Sequence, residues 1–162
     1  LRALALLAGE LPDARLDVVG DHASRGRMEA LARELGLDRR VTFHGFLGRA
    51  EIGALYCSAA VVALPSEVEG FGITLMEAMH SGVPVIGSAR GGSGELIRDG
   101  WNGFVVAPGD LPALADRLRL LLTDERRREE MGANGRRTAE RFTLAHMVDE
   151  TLAVYRETRA SA

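Results

Sequence analysis

The sequence predicts an α/β protein with a Rossmann-like, doubly wound parallel sheet and a helical extension at its C-terminal end. The candidate strands are short, continuous apolar runs rather than apolar/polar alternations, a pattern typical of parallel strands covered on both faces. Helical patterns alternate with these runs up to about residue 110, and only helical patterns follow. We therefore expect helices on both faces of one sheet and an all-helical part over residues 110–162.

Length and composition are those of one globular domain covering residues 1–162. The apolar fraction is 46% and the charged fraction 27%, so the chain can bury a sizeable core without disulfide or metal help. The net charge of −3 gives no reason to expect nucleic acid or an anionic membrane as a main partner. The single cysteine, Cys57, excludes an internal disulfide and is expected to be a small buried hydrophobe in a reducing compartment.

The elements can be placed in order along the chain. "LRALALLAGEL" at the start has apolar residues at helical spacing. The following helices are expected over "RMEALAREL", which ends at Gly36, over "RAEIGALYCSA" and over about Gly72 to Ser81, with a short turn around Glu95 to Arg98. Strands are expected at "LDVV", "VTFHG", "AVVALP", "PVIGS" and "FVVAP", and Asp110 is expected to cap the helix that follows the last strand.

The start of the chain lies within a helical pattern and lacks an initiator methionine. We therefore expect the sequence to be a piece of a longer protein. A signal peptide is the alternative, but only one arginine precedes the apolar run, and no convincing cleavage site follows it.

The last helix carries an apolar stripe that requires a partner. We expect it to dock on the core of this domain, and a neighbouring domain outside the sequence is the alternative. The stripe consists of Leu144, Met147 or Val148, Leu152 and Tyr155. The preceding "DERRREEM" interleaves acidic residues with arginines and is expected to be a solvated helix face rather than a basic patch.

The segment "LPSEVEGFGITLMEAMHSGVPVIG", Leu64 to Gly87, is the strongest candidate for a functional site. Parallel α/β sheets bind ligands beyond the carboxyl ends of their strands, where this segment leads into a helix. Gly70 and Gly72 let the backbone approach a ligand closely, and the unpaired N–H groups of the first helical turn favour an anion such as a phosphate.

Two carboxylates frame this helix start. Glu69 lies just before it, and Glu77 lies inside an otherwise uncharged helix that we expect to be buried. A buried carboxylate costs several kcal/mol unless it is paired, and two ribose hydroxyls are a natural partner. The pattern suggests a phosphate at the helix start with one sugar near each carboxylate. Alternatively, Glu77 simply contacts a neighbouring loop or an arginine.

Other functional motifs are absent. No G-x-G-x-x-G follows the first strand, and neither a P-loop nor a G-x-S-x-G sequence is present. The four histidines lack metal-ligand spacing. Among them, His44 ends a strand and is a candidate to face a ligand, although a structural role is the simpler interpretation.

The segment "PSEVEGFGITLMEAMHSGVPVIGSARGGSGELIRDGWNGFVV" resembles the donor-binding core of retaining glycosyltransferases of the GT-B fold, the family 4 type (glycosyl transferases group 1). It matches the family pattern of P-S, then two glutamates separated by seven residues with G-F-G between them, then E-A-M, G-x-P-V, G-G-x-x-E and G-x-x-G. The preceding "VVGD…VTFHGFLGRAEIGALYCSAAVVALPS" also resembles the family, so the similarity covers nearly the whole chain.

The resemblance implies a role for each residue of the motif. Glu69 would be the catalytic residue and would contact hydroxyls of the donor sugar, as a binder and electrostatic stabiliser rather than a base. Glu77 would bind the ribose hydroxyls, and the base would lie against the backbone near Leu47. The sugar and phosphates would contact Gly70, Phe71, Gly72, Ile73, Thr74, Gly91 and Gly92. The co-substrate would be a UDP-, GDP- or ADP-sugar, with no metal or other cofactor.

The sequence also departs from the family. Its members carry an Arg and a Lys just before the first helix seen here, which neutralise the leaving diphosphate, and an N-terminal domain that binds the acceptor. Both are missing, and nothing shows that Arg25 or Arg27 replaces the lost pair. Because charge stabilisation is a large part of such catalysis, we expect the isolated chain to have little or no transferase activity. Appreciable sugar transfer by it would contradict this expectation.

The alternatives come from other functional classes. A glycosidase fits poorly, because its two carboxylates must flank the scissile bond, whereas Glu69 and Glu77 belong to one loop and helix. A nucleotide-sugar epimerase related to the GT-B enzymes, and a domain that binds nucleotides or assembles without catalysis, also remain. By resemblance, the parent enzyme is expected in the cytoplasm, with a peripheral position at the membrane surface as an option.

Overall fold

The computed structural model describes residues 1–20, 23–67 and 70–160 as strands alternating with helices, followed by three long helices. The strands are β1 (Leu16–Val19), β2 (Val41–Gly45), β3 (Val62–Leu64), β4 (Val85–Ser88) and β5 (Gly103–Val106). The helices are α1 (Arg2–Leu6), α2 (Arg25–Glu34), α3 (Arg49–Ser58), α4 (Ile73–His80), α5 (Ser93–Leu96), α6 (Leu111–Thr123), α7 (Glu125–Ala139) and α8 (Leu144–Ala160).

All paired strands are parallel, but they form two sheets rather than the single expected one. β1 pairs with β2 from Leu16 opposite Val41, and β4 lies between β3 and β5. The predicted α/β class is confirmed, with parallel sheets and helices on both sides. The α4 segment follows β3, so the candidate site belongs to the three-stranded sheet.

The central strand β4 shows that both sides of the larger sheet are covered. Its four residues are all buried. Val85 packs in a cluster with residues of α4, α5 and α7, whereas the adjacent Ile86 packs with β5, α6 and Met131 of α7. Successive side chains of a strand point to opposite faces, so these two clusters lie on opposite sides of the sheet. This burial fixes the position of α4 relative to the carboxyl end of β3.

Not every strand is buried on both faces. The residues of β1 alternate between half-buried and exposed, and Ala63 in β3 is exposed. The expectation that all strands are covered on both faces is therefore wrong for β1 and β3. Apolar composition alone predicted burial there, but within the described residues β1 has a strand neighbour only in β2, and β3 only in β4.

The first helix is shorter than its apolar pattern predicts. It ends at Leu6 and continues as turns up to Glu10, where Gly9 lowers helical propensity. The Arg40 guanidinium donates hydrogen bonds to the carbonyl oxygens of Ala8 and Ala14, at 3.3 and 3.0 Å. These bonds satisfy carbonyl groups that lie beyond the end of α1 and have no partner within it.

Two burial expectations are wrong. Cys57 is exposed, because it lies in α3, a helix without a fully buried residue. The apolar stripe of α8 does not dock on the core of this domain: Leu144 is 74% exposed and Tyr155 is 65% exposed. The alternative, a partner outside the sequence, stays a prediction.

Several local expectations are confirmed. The Asp110 carboxylate accepts a hydrogen bond from the Ala113 N–H at 3.0 Å and so caps α6, a type of contact that contributes about 1 kcal/mol. The "DERRREEM" segment is a largely exposed face of α7, with an ion pair between Arg126 and Glu130. None of the helices in the described ranges is both long and apolar enough to cross a membrane.

Candidate functional site

The candidate site begins with residues 70–72, which we call the entry loop, between β3 and α4. Gly72 is buried with φ = +83°, a left-handed conformation that side chains disfavour. It turns the chain directly into α4. The first intrahelical hydrogen bond runs from the Met76 N–H to the Gly72 carbonyl at 3.0 Å. The preceding N–H groups, those of Ile73 and Thr74 among them, therefore have no partner within the helix.

The start of α4 is open to solvent and uncapped. Ile73 is 66% exposed, Thr74 is exposed, and no side-chain hydrogen bond caps the helix in the part of the chain that the structure describes. The helix dipole and these N–H groups together favour an anion at this end. The structure thus places an uncapped, exposed helix start where the sequence predicted an anion site, and anion binding there stays a prediction.

The glycine pair Gly91 and Gly92, which follows β4, contacts the entry loop. The Gly92 N–H donates to the Gly70 carbonyl at 2.8 Å. A Cβ on Gly92 would lie 2.1 Å from that carbonyl oxygen and 2.9 Å from the Cα of Phe71. No side chain fits into this space without moving the backbone. The structure therefore brings together two segments that sequence reasoning assigned to one site.

The segment after the glycine pair is anchored by Asn102, which is 1% exposed. Its Oδ1 accepts from the Arg98 N–H at 2.8 Å, and its Nδ2 donates to the Leu96 carbonyl at 3.0 Å and the Thr138 hydroxyl at 2.9 Å. Asn102 thereby ties the end of α5 to α7. Sequence reasoning missed this residue, and the only signal for it was its place in the turn "DGWNG".

Glu77 lies on the same exposed face of α4 as Ile73 and Thr74, whereas Leu75, Ala78 and Met79 form the buried face. The expectation of a carboxylate within a buried helix is therefore wrong. An eight-residue helix on the surface of a sheet buries only one side, and Glu77 falls on the other. Its charge is solvated and remains available to a ligand.

Glu77 nevertheless has a neighbour, Tyr56 of α3. The Tyr56 hydroxyl donates to Glu77 Oε2 at 3.1 Å and lies 3.4 Å from the Thr74 carbonyl oxygen. Burial, the charge of Glu77 and this hydrogen bond raise the pKa of Tyr56 to about 12. Sequence reasoning missed Tyr56 and considered instead a loop or an arginine. No local pattern predicts the contact, because the two residues are 21 positions apart.

The entry loop also contacts the junction between α7 and α8. The rings of Phe71 and Phe142 pack edge to face, with centroids 5.6 Å apart and an interplanar angle of 67°. Phe71 is 45% exposed and Phe142 is 47% exposed. The ring of Phe71 thus lies on the surface, beside the point from which α8 departs.

Other predicted residues lie outside this cluster. Glu69, the expected catalytic residue, is outside the described residues. Leu47 is half-buried in the loop after β2, and so belongs to the other sheet. Arg25 forms an ion pair with Glu29 at 2.8 Å and donates to the Phe43 carbonyl at 3.1 Å. These contacts give no support to Arg25 as a substitute for the family's missing basic pair, and Arg27 is exposed on α2.

The remaining candidate ligands are dispersed. His44 Nε2 lies 2.7 Å from Asp17 Oδ1 across the β1–β2 pair, which favours the structural interpretation of this histidine. Among residues 1–20, 23–67 and 70–160, no three His, Cys, Asp or Glu side chains form a group able to bind a metal ion. The roles assigned to single residues of the site stay predictions.

Comparisons with known proteins support one family. The family model "Glycosyl transferases group 1" matches residues 1–138. A D-inositol 3-phosphate glycosyltransferase of Corynebacterium aurimucosum is 37% identical over 161 residues, covering 96% of this chain and 38% of that protein. Overall, the chain spans about two fifths of the length of the curated relatives it matches.

Solved structures agree with this comparison. The C-terminal domain of the group 1 family protein LpcC from Francisella tularensis matches with a TM-score of 0.78 and 29% identity, over 86% of this chain and 75% of that one. Anabaena HepE, solved in complex with UDP-glucose, matches with a TM-score of 0.82 and 30% identity, over 99% of this chain and 44% of that one. The chain therefore belongs to the glycosyl transferases group 1 family.

Proposed function

We propose that this chain is the nucleotide-sugar-binding domain of a retaining glycosyltransferase of family 4. One observation carries the proposal: the uncapped start of α4, the glycine pair beside it and the exposed Glu77 one turn further along form a continuous surface. Such a surface presents donors for phosphate and an acceptor for hydroxyls. The UDP-glucose in the related HepE structure supports a nucleotide-sugar as the ligand.

The parts of the donor are assigned along this surface. The N–H groups of Ile73 and Thr74 bind the distal phosphate, and Glu77 accepts hydrogen bonds from the ribose hydroxyls. The base contacts the backbone near Leu47. Glu69 binds hydroxyls of the transferred hexose, in a cleft lined by Gly70, Phe71, Gly72, Gly91 and Gly92.

The reaction proposed for the parent enzyme leaves the configuration of the sugar unchanged. The bond from the anomeric carbon to the diphosphate oxygen breaks, and a bond from the acceptor oxygen forms on the same face. The acceptor proton passes to the leaving diphosphate. Glu69 stabilises the developing charge and is not a base, and no metal takes part. N–H groups directed at the phosphate are suited to this, because fixed dipoles need no reorganisation as charge develops.

The remaining parts of the enzyme lie outside this chain. We assign acceptor binding and the basic residues for the leaving diphosphate to an N-terminal domain, so the isolated chain binds a donor but transfers little or no sugar. The exposed apolar stripe of α8 supports such a second domain, because apolar faces of this kind are normally covered. By resemblance, the parent enzyme acts in the cytoplasm, at or near the membrane surface.

Titration calorimetry with UDP, GDP and ADP tests the proposal. We expect at least one nucleotide to bind, and Glu77→Ala to weaken that binding by about 10- to 100-fold, because hydrogen bonds to a charged acceptor contribute about 1.5–3 kcal/mol. Glu129→Ala, which removes an exposed carboxylate from α7, is the matched control and should leave the affinity unchanged. If the folded chain binds none of the three nucleotides, a role in assembly replaces the proposal.

A further inference from the structure

The contact between Tyr56 and Glu77 links α3 to the exposed face of α4. Tyr56 is partly buried, and its hydroxyl has two oxygen neighbours, Glu77 Oε2 at 3.1 Å and the Thr74 carbonyl at 3.4 Å. A phenol carries one hydrogen, so it can direct that hydrogen at only one of them. The carboxylate is both closer and charged, and it is therefore the preferred acceptor.

The phenol is a donor throughout the physiological pH range. Because burial and the neighbouring carboxylate raise the pKa of Tyr56 to about 12, its proton is retained at neutral pH. The hydrogen bond occupies only one oxygen of Glu77. A carboxylate has about four acceptor positions on its two oxygens, so Oε1 and part of Oε2 remain free for other donors.

We propose that Tyr56 is a positioning residue for Glu77, fixing one carboxylate oxygen so that the other is oriented toward the ribose hydroxyls of a bound nucleotide. This inference rests on the proposed donor site. An exposed glutamate otherwise samples several rotamers and loses that freedom when a ligand binds. Tyr56 removes part of this freedom in the absence of ligand, which lowers the entropic cost of binding.

A second consequence concerns the start of α4. The Thr74 carbonyl, the other oxygen near the Tyr56 hydroxyl, belongs to the first turn of the helix, where the phosphate is proposed to bind. The Tyr56 hydroxyl therefore lies beside both Glu77 and the first turn of α4. A change that removes only the hydroxyl should affect recognition of the ribose and leave the phosphate contacts in place.

The test compares a ribonucleotide with its 2′,3′-dideoxy analogue. The probe is UDP, GDP or ADP, whichever binds the chain most tightly, and the variant is Tyr56→Phe, which removes only the hydroxyl. We expect the variant to bind the ribonucleotide about three- to tenfold more weakly, the cost of immobilising one additional flexible side chain on binding. Its affinity for the dideoxy analogue should be unchanged. Cys57→Ala, at the exposed neighbouring position, is the control.

A double-mutant cycle with Glu77→Ala completes the test. If Tyr56 acts through Glu77, Tyr56→Phe has no further effect in the Glu77→Ala background. If Tyr56 instead has a general structural role, Tyr56→Phe should lower the affinity for both the ribonucleotide and the dideoxy analogue. That loss would also be seen in the Glu77→Ala background, and this result would overturn the inference. If Glu77→Ala weakens binding but Tyr56→Phe does not, the positioning role fails and the donor site stands. If no nucleotide binds, both fail.

Discussion

Replacing Gly92 by alanine is expected to weaken nucleotide binding by about tenfold or more. The added Cβ would lie 2.1 Å from the Gly70 carbonyl oxygen, whereas an ordinary contact is at least 3.4 Å. The two backbones must therefore separate by more than an ångström, and the hydrogen bond from the Gly92 N–H breaks. A shift of this size takes backbone N–H groups of the entry loop out of hydrogen-bond distance of a bound phosphate, and one lost hydrogen bond to a charged group costs about 1.5–3 kcal/mol, or tenfold or more in affinity. Calorimetric titration with the tightest-binding nucleotide measures the loss.

Gly94→Ala is the matched control for this change. Gly94 lies two residues further along in α5, and its Cβ would have no atom within 4 Å. We expect this variant to bind the nucleotide as the unaltered chain does. Equal affinities for the Gly92→Ala variant and the unaltered chain, with both folded by circular dichroism, would show that the contact between the two loops does not shape the site.

Replacing Gly132 by alanine is expected to lower the free energy of unfolding by about 2 kcal/mol. Gly132 lies in α7 where this helix approaches the end of α4, and its Cβ would be 2.0 Å from the Gly82 carbonyl oxygen. The backbone at Gly82 has little room to retreat, because the Gly82 N–H donates to the Met79 carbonyl at 2.9 Å and the adjacent Val83 N–H donates to the Ala78 carbonyl at 3.0 Å. Overpacking of this kind typically costs about 1–3 kcal/mol, which exceeds the gain in helical propensity.

In contrast to Gly132→Ala, the Gly53→Ala change is expected to raise the free energy of unfolding. Gly53 is also inside a helix, α3, but no atom lies within 4 Å of its Cβ position. Alanine should therefore raise the free energy of unfolding by about 0.5–1 kcal/mol, the difference in helical propensity. Urea denaturation of the two variants beside the unaltered chain measures both effects. A Gly132→Ala variant as stable as the unaltered chain would contradict the close approach of α7 and Gly82.

Local sequence patterns predicted most of the fold. The bounds of β1 and β2, the end of α2 before Gly36 and the cap at Asp110 all follow from apolar runs and from residues with defined roles at helix ends. The start of α4 was predictable in the same way, because Gly72 supplies a backbone conformation that few other residues adopt. These signals lie within a few residues of the feature that they specify.

Features that depend on distant contacts were not predictable. The apolar surroundings of Glu77 and Cys57 in the sequence suggested burial, yet both are exposed, because composition does not say which side of a helix faces the sheet. The hydrogen bonds of Tyr56 and Asn102 join segments far apart in the chain. The resemblance to a family predicted which loops would form a site, but it could not provide the contacts between them.

The ring pair of Phe71 and Phe142 connects the entry loop to the segment that precedes α8. A ligand that displaces Phe71 also changes the packing of Phe142. By thermodynamic linkage, a partner that displaces Phe142 would then change the affinity for that ligand by the same factor as the ligand changes the affinity for the partner. An aromatic pair contributes about 0.5–1.5 kcal/mol, so through this contact the factor is limited to about tenfold. If a nucleotide binds beside the entry loop as proposed and moves Phe71, its affinity depends on how freely Phe142 can repack.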